Sequence, residues 1–303
     1  GVPLLRNGEV IDRNVDPGKL MKLYTEEAIA WIEERVASKH GRESSEPFFL
    51  YLPHTMLHEP LGVSPEFKDS SNWGLYGDAI QELDYYTGHL MDALERLEID
   101  DETIVIYASD NGRWPGRNAQ QPIRGSKLTT YEGGLRVPCI AYGLGIREGF
   151  ESGVVAHAMD WYPTVASLAG ISISKELVLD GRDLSAILTG ETDTIPGFDK
   201  GVSLNAEIPL RREFHQDREW EPIFERKEYL NAFFYHGSHG ALAAVRSGKW
   251  KLALNPSLTL YDLEQDPGES NPVNNWETKT KLRGMVVQFQ REMIEHGKAN
   301  NTQ

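Results

Sequence analysis

The sequence predicts an α/β fold. Residues 1–190 read as a mostly parallel sheet with helices on both faces, and residues 191–303 as a smaller antiparallel-sheet subdomain with a C-terminal helix. Three observations carry this. Helical and strand patterns alternate through the first part, the order of a sheet covered by its crossovers. The strand candidates there, "PFFLYLPH" and "TIVIYAS", are continuous apolar runs, as expected of strands covered on both sides. After about residue 190, short strand-like segments follow one another with Gly, Asn and Pro between them, as in a meander.

Taken in order, "GVPLLRNGEVIDRNVDPGKL" is a polar connector leading into a helix. That helix shows Leu23, Ala28, Ile29, Ile32 and Val36 at helical spacing and ends near Gly41. "PFFLYLPH" is a buried strand. "YGDAIQELDYYTGHLMDALERLEI" is a long helix with Ile80, Leu83, Tyr86, Thr87, Leu90, Leu94 and Leu97 on one side. "TIVIYAS" and "LRVPCIAYG" are further strands. "HAMDWYPTVASLAGI" is a helix starting near Asp160, with Pro163 tolerable in its first turn. "ETDTIPGFDKG" and "LRREFHQDREWEP" are loops, while "EYLNAFFYHG", "ALAAVRSGKWKLALN" and "LTLYDLEQDPGE" build the meander. "TKLRGMVVQFQREMIEHG" closes the chain as a helix, and "KANNTQ" is a frayed tail.

Composition narrows the function. At 303 residues, with 40% hydrophobic and 25% charged side chains, the chain is long and apolar enough for a large globular core. A net charge of −15 argues against nucleic acid as a partner, which needs a basic surface. The same charge means that an anionic ligand requires its own local cations. No apolar run approaches the roughly 18–20 residues of a membrane span. The single cysteine, Cys139, excludes an intrachain disulfide framework and a cysteine-rich zinc site. No signal peptide is visible at the start.

The stretch "IVIYASDNGRWPG" carries the first hint of chemistry. Asn111-Gly112 after an apolar run is a hairpin-turn signal. It equally suits a pair of oxygen ligands, Asp110 and Asn111, held beyond the carboxyl end of a buried strand, where ligands bind in such sheets. These residues alone leave both readings open.

The segments "FFLYLPHTMLHEPL", "YASDNG", "RGSKLTTYEGGLRVPCIAYG", "DWYPTVASLAG" and "AVRSGKWKL…LYDLEQDPGE" settle the direction. In content, order and spacing they resemble the sulfatases, the formylglycine-dependent arylsulfatases of the alkaline-phosphatase superfamily. The resemblance runs from about residue 3 to residue 290. It implies an alkaline-phosphatase-like fold, here incomplete, and a sulfuric ester hydrolase acting on aryl or carbohydrate sulfates. It further implies a Ca²⁺ ion held by an early Asp pair together with Asp110 and Asn111, a hard all-oxygen set. Lys127 matches the family lysine that contacts sulfate. His58, in His58-Glu59-Pro60, fits the histidine that contacts the sulfate or leaving-group oxygen, with His54 as the rival. Both His58 and Lys127 are thereby candidate catalytic and substrate-binding residues. Glu132 and Arg136 read either as supports of the site or as an ordinary turn with an ion pair. His157, His236 and His239 have no assigned role, and the aromatics of "NAFFYHG" read as strand core.

Sulfatase chemistry also needs Cys or Ser in Cys/Ser-x-Pro-x-Arg, the precursor of formylglycine. Cys139 in "VPCIAYG" lacks both the Pro and the Arg and reads as a buried strand residue, and Ser45 in "SEPFF" ends in Phe49. The early Asp pair is absent too. The resemblance thus implies the C-terminal portion of a sulfatase, inactive alone, with an unpaired sheet edge and the N-terminal segment as a possible partner. The competing readings are a phosphodiesterase or phosphonate hydrolase of the same superfamily and a non-catalytic protein that binds sulfated glycans. Family habit implies the periplasm, the lysosome or the cell exterior.

Overall fold

The computed structural model describes residues 3–37, 47–115, 123–174, 177, 179–194, 232–237 and 240–300. Ser45, His239, "LRREFHQDREWEP" and parts of "ETDTIPGFDKG" and "EYLNAFFYHG" lie outside the described residues. The chain divides into two compact units, residues 1–105 and 106–303.

In the first unit, β1 (Leu4–Arg6) and β2 (Glu9–Asp12) form an antiparallel hairpin where the sequence suggested only a connector. Asp16 then caps a short 3₁₀ turn at Pro17–Lys19, accepting the Gly18 N–H at 3.0 Å. It leads into α1 (Leu20–Ala37), which packs against α2 (Gly74–Arg96). Ile32, Leu94 and Ile99 are buried between them with Trp31, Leu90 and Met91 around them.

"PFFLYLPH" departs from expectation. Among the described residues it has no ladder partner and is not a strand. Phe48 and Leu50 pack on the Ile32 cluster, while Phe49 and Tyr51 are 72% and 76% exposed. Extended chain sends alternate side chains to opposite faces, and only one face meets apolar neighbours here. Ile80 is also exposed rather than on the buried side of α2. The buried positions beside it belong to carboxylates. Asp78 accepts the backbone N–H groups of Asp69 (3.0 Å) and Ser71 (2.8 Å), and Glu82 accepts that of Ser64 (2.9 Å). A loop with no ladder of its own thus has its amides satisfied by the helix below it.

The second unit holds most of β3 (Ile104–Ala108), followed by the single turn α3 (Glu132–Leu135) and β4 (Cys139–Gly143). β3 and β4 form a two-stranded sheet, so a wide, mostly parallel sheet is not seen among the described residues. β4 is also less covered than an apolar run suggests: Cys139, Ile140 and Tyr142 are exposed, correcting the buried reading of Cys139. A 3₁₀ turn at Ala158–Asp160 precedes α4 (Trp161–Leu168), and α5 (Ser185–Leu188) packs on α4. His157 and Asp160 make a reciprocal cap: the His157 ring accepts the Met159 N–H, and Asp160 accepts the His157 N–H.

The meander is as predicted. β5 (Phe233–His236), β6 (Leu242–Ser247), β7 (Trp250–Ala253) and β8 (Thr259–Asp262) lie in that order, all antiparallel. The closing helix α6 (Trp276–Asn300) starts earlier than predicted and runs through Lys298–Asn300, read as frayed tail. Leu282, Met285 and Val286 of α6 pack on Val245, Leu252 and Leu260 of the sheet. Among the described residues, no helix is long and apolar enough to cross a membrane.

Leu260 is fully buried at this helix–sheet contact. Leu260→Ala should cost about 2–5 kcal/mol, the range for a large-to-small change in a packed core. Chemical denaturation with an unchanged m-value checks it.

Candidate functional site

The second unit assembles its candidate site from two loops joined through their backbones. Beyond β3, the Ser109 N–H donates to the Pro138 carbonyl at 3.3 Å, so the start of β4 lies beside the end of β3. The Gly112 N–H donates to the Gly134 carbonyl (3.1 Å), and the Lys127 N–H to the Arg113 carbonyl (2.7 Å). A Cβ on Gly112 would stand 2.3 Å from the Gly133 carbonyl oxygen. Glycine is therefore required by the close approach of the second loop, and the hairpin reading of Asn111-Gly112 gives way. The same stitching holds the Asp110-Asn111 pair next to the loop that carries Lys127.

That second loop is braced from within. The Gly133 N–H donates to the Arg124 carbonyl at 2.7 Å. Ser126 to Thr129 form a tight turn closed by Thr129 N–H to Ser126 O at 3.0 Å. The Thr129 hydroxyl adds a second bond to the same carbonyl (2.7 Å) and accepts the Ser126 N–H (3.1 Å). Lys127 is half-buried, its Nζ 5.6 Å from the centre of the Trp114 ring. Asp110 is exposed and Asn111 half-buried. Both present the oxygen donors a hard cation takes. Two residues fall short of a complete shell, and the described residues contain no group of three or more His, Cys, Asp or Glu arranged to hold a metal.

Glu132, read from the sequence as either support or ordinary turn, is a buried hub. Its Oε1 accepts from Lys251 Nζ at 2.9 Å, and its Oε2 from Arg136 Nε at 2.7 Å and Arg246 Nη1 at 3.4 Å. Lys251 is only 1% exposed and also faces Glu269 at 3.0 Å. Glu269 in turn accepts the Glu132 backbone N–H at 2.6 Å. Its own carbonyl accepts from Arg124 at 3.3 Å. Burial pushes the Glu132 carboxyl up, but the Lys251 charge and then the Arg136 hydrogen bond outweigh it and hold Glu132 below the usual carboxylate range. For Glu269 burial wins over Lys251, and the carboxyl sits above that range. Burial likewise drives Tyr235 up to about 12.

Lys251, Glu269 and Arg246 were quoted in sequence motifs without a role. The available signal was a lysine set inside the apolar run "WKLA" of β7. The two histidines belong to the first unit. His54 is half-buried with its Nδ1 unpartnered, and burial lowers its pKa. His58 is exposed, with Nδ1 2.6 Å from the Glu59 carbonyl, so Nδ1 carries a proton and donates. His157 serves as a helix cap, and His236 lies on β5 with its ring 6.1 Å from Phe289.

The family model described as Sulfatase matches residues 6–171. The N-acetylgalactosamine-6-sulfatase of Mus musculus is 37% identical over 275 residues, covering 87% of this chain and 50% of its own. The steryl-sulfatase of Homo sapiens is 28% identical over 289 residues, covering 89% and 47%. The chain thus spans about half the length of the curated relatives it matches. The crystal structure of Ps i-CgsB superposes with a TM-score of 0.73 at 24% identity, covering 96% of this chain and 57% of that one, a likeness of fold.

The ion cluster makes two predictions. Lys251→Met should cost about 3–5 kcal/mol in denaturant melts at pH 7, because it leaves buried carboxylates uncompensated. Adding Glu269→Gln should recover part of that loss, because Glu132 keeps Arg136 and Arg246 while Glu269 faces Lys251. The pH dependence has opposite signs for the two acids. Glu269, raised in the folded state, takes up its proton there first, so its contribution to stability rises as pH falls towards its unfolded value near 4.5. Glu132 is lowered: its contribution is complete above 4.5 and is lost as pH falls through the folded value. Subtracting the Glu269→Gln stability curve from that of the unaltered protein should therefore show a rise on acidification above pH 4.5.

Proposed function

The chain belongs to the sulfatase family, and on that premise we propose that it carries the calcium- and sulfate-contacting side of a site that hydrolyses sulfate monoesters. The family is one of sulfuric ester hydrolases. The observation that supports the reading is the backbone stitching of the Asp110–Arg113 loop to the Arg124–Gly134 loop, which holds the chain next to Asp110 and Asn111 against the chain that carries Lys127.

Each residue has a defined task. Asp110 and Asn111 would supply two oxygen ligands to Ca²⁺, and the ion when bound neutralises sulfate oxygens and orients the nucleophile. Lys127 places an ammonium against the oxygens of the transferring group, where charge builds in the transition state. His58 holds its proton on Nδ1, so Nε2 carries the lone pair of the neutral ring. In its protonated form that nitrogen can donate to the leaving-group oxygen. Exposure favours His58 over His54, whose burial disfavours the charged ring. Formylglycine does not fit Cys139, which lacks the following Pro and Arg, so no step is assigned to it.

Calorimetric titration of the 303-residue chain with Ca²⁺ tests the ligand pair. A dissociation constant on the order of 10⁻⁴–10⁻³ M is expected for so few protein ligands, with binding lost in Asp110→Ala. Binding that survives this change defeats the assignment. Lys127→Met should weaken inorganic sulfate binding, and the chain alone should not turn over 4-nitrophenyl sulfate. Sustained turnover would disprove the absence of a nucleophile.

A further inference from the structure

The turn that carries Lys127 contains an anomaly. Ser126 to Thr129 close a four-residue turn with positive φ (76°) at its third residue, Leu128. That is the type II pattern, and its third position takes Gly or Asn because a Cβ is strained there. Leucine is a poor occupant on conformational grounds. Packing does not explain it either, since Leu128 is 69% exposed and belongs to none of the buried apolar clusters. A strained residue that presents a large apolar side chain to solvent, next to the proposed sulfate-contacting lysine, points to a ligand.

Its surroundings give the ligand's character. Trp114 is 38% exposed, with its ring 5.6 Å from Lys127 Nζ. Leu128 also borders a cavity of about 240 Å³ walled in part by the small residues Ala243, Ala244 and Ala253. This lies below the roughly 300 Å³ at which pockets for drug-sized ligands begin, so a single compact ring fits better than a chain of several. Two charges in its lining, Lys251 and Glu269, face each other, and Lys251 also pairs with Glu132.

We propose that Leu128 is a specificity-determining residue that contacts the organic part of the sulfate ester, and that this part is a single apolar ring. The proposal rests on Lys127 contacting the sulfate. The two relatives named above differ in this respect, one being called a steryl- and the other an N-acetylgalactosamine-6-sulfatase.

Binding to the full chain is measured by ligand-observed NMR with three probes: inorganic sulfate, 4-nitrophenyl sulfate and N-acetylgalactosamine 6-sulfate. Leu128→Gly should weaken the aryl sulfate by about tenfold, the ratio carried by burying most of one leucine side chain. Inorganic sulfate should bind as before, and the melting temperature should hold or rise, because glycine relieves the strained φ. Loss of aryl affinity with rising stability is a combination that a purely structural leucine does not produce. Unchanged aryl sulfate binding in Leu128→Gly overturns the proposal, as does tighter binding of the sugar sulfate than of the aryl sulfate by the unaltered chain. Lys127→Met reports separately: if it leaves inorganic sulfate binding intact, the sulfate site itself is misassigned.

Discussion

The second unit depends on one buried carboxylate. Glu132 stands at the junction of the loop that follows β3 and the antiparallel sheet near the C-terminus, and Lys251, Arg136 and Arg246 all converge on it. An ion this deeply buried is tolerated only when its oxygens are satisfied by well-placed partners. Its Oε1 meets Lys251 and its Oε2 is shared by the two guanidiniums, so neither oxygen is abandoned. The price of that arrangement is that the cluster stands or falls together.

Its influence reaches the candidate site through short, rigid links. Glu269, held opposite Lys251, accepts the Glu132 N–H, and its carbonyl accepts from Arg124. Arg124 in turn accepts the Gly133 N–H, next to the Gly134 carbonyl that receives Gly112. The chain of bonds therefore passes from the sheet at β7 to the residue after Asn111. Surface pairs such as Arg147–Asp193 are exposed to water and screened, and they contribute little to this.

The fold was legible in the sequence where periodicity and composition act locally. The helices around Ile32 and Leu94, the four-stranded meander and the closing helix follow from side-chain spacing, because each buries one regular face. "PFFLYLPH" was misread as a strand and β4 as a covered one, because an apolar run reports suitability for burial, and not whether a pairing edge or a covering layer is there. Ile80 was misplaced for a related reason. Asp78 and Glu82 occupy the buried side of α2 since the adjoining loop needs acceptors for its amides.

The candidate site shows the same division. Resemblance to the sulfatase motifs marked Asp110, Asn111, Lys127 and the two histidines, and their types suit chemistry that needs hard oxygen donors, an ammonium and an imidazole. Only the tertiary structure decided that Gly112 is a point of backbone contact and no hairpin, that Glu132 is a hub joined to Lys251 far along the chain, and that Leu128 sits in a left-handed turn position. Those properties arise from contacts between segments distant in sequence and from a backbone angle, and neither leaves a periodic trace in the order of residues.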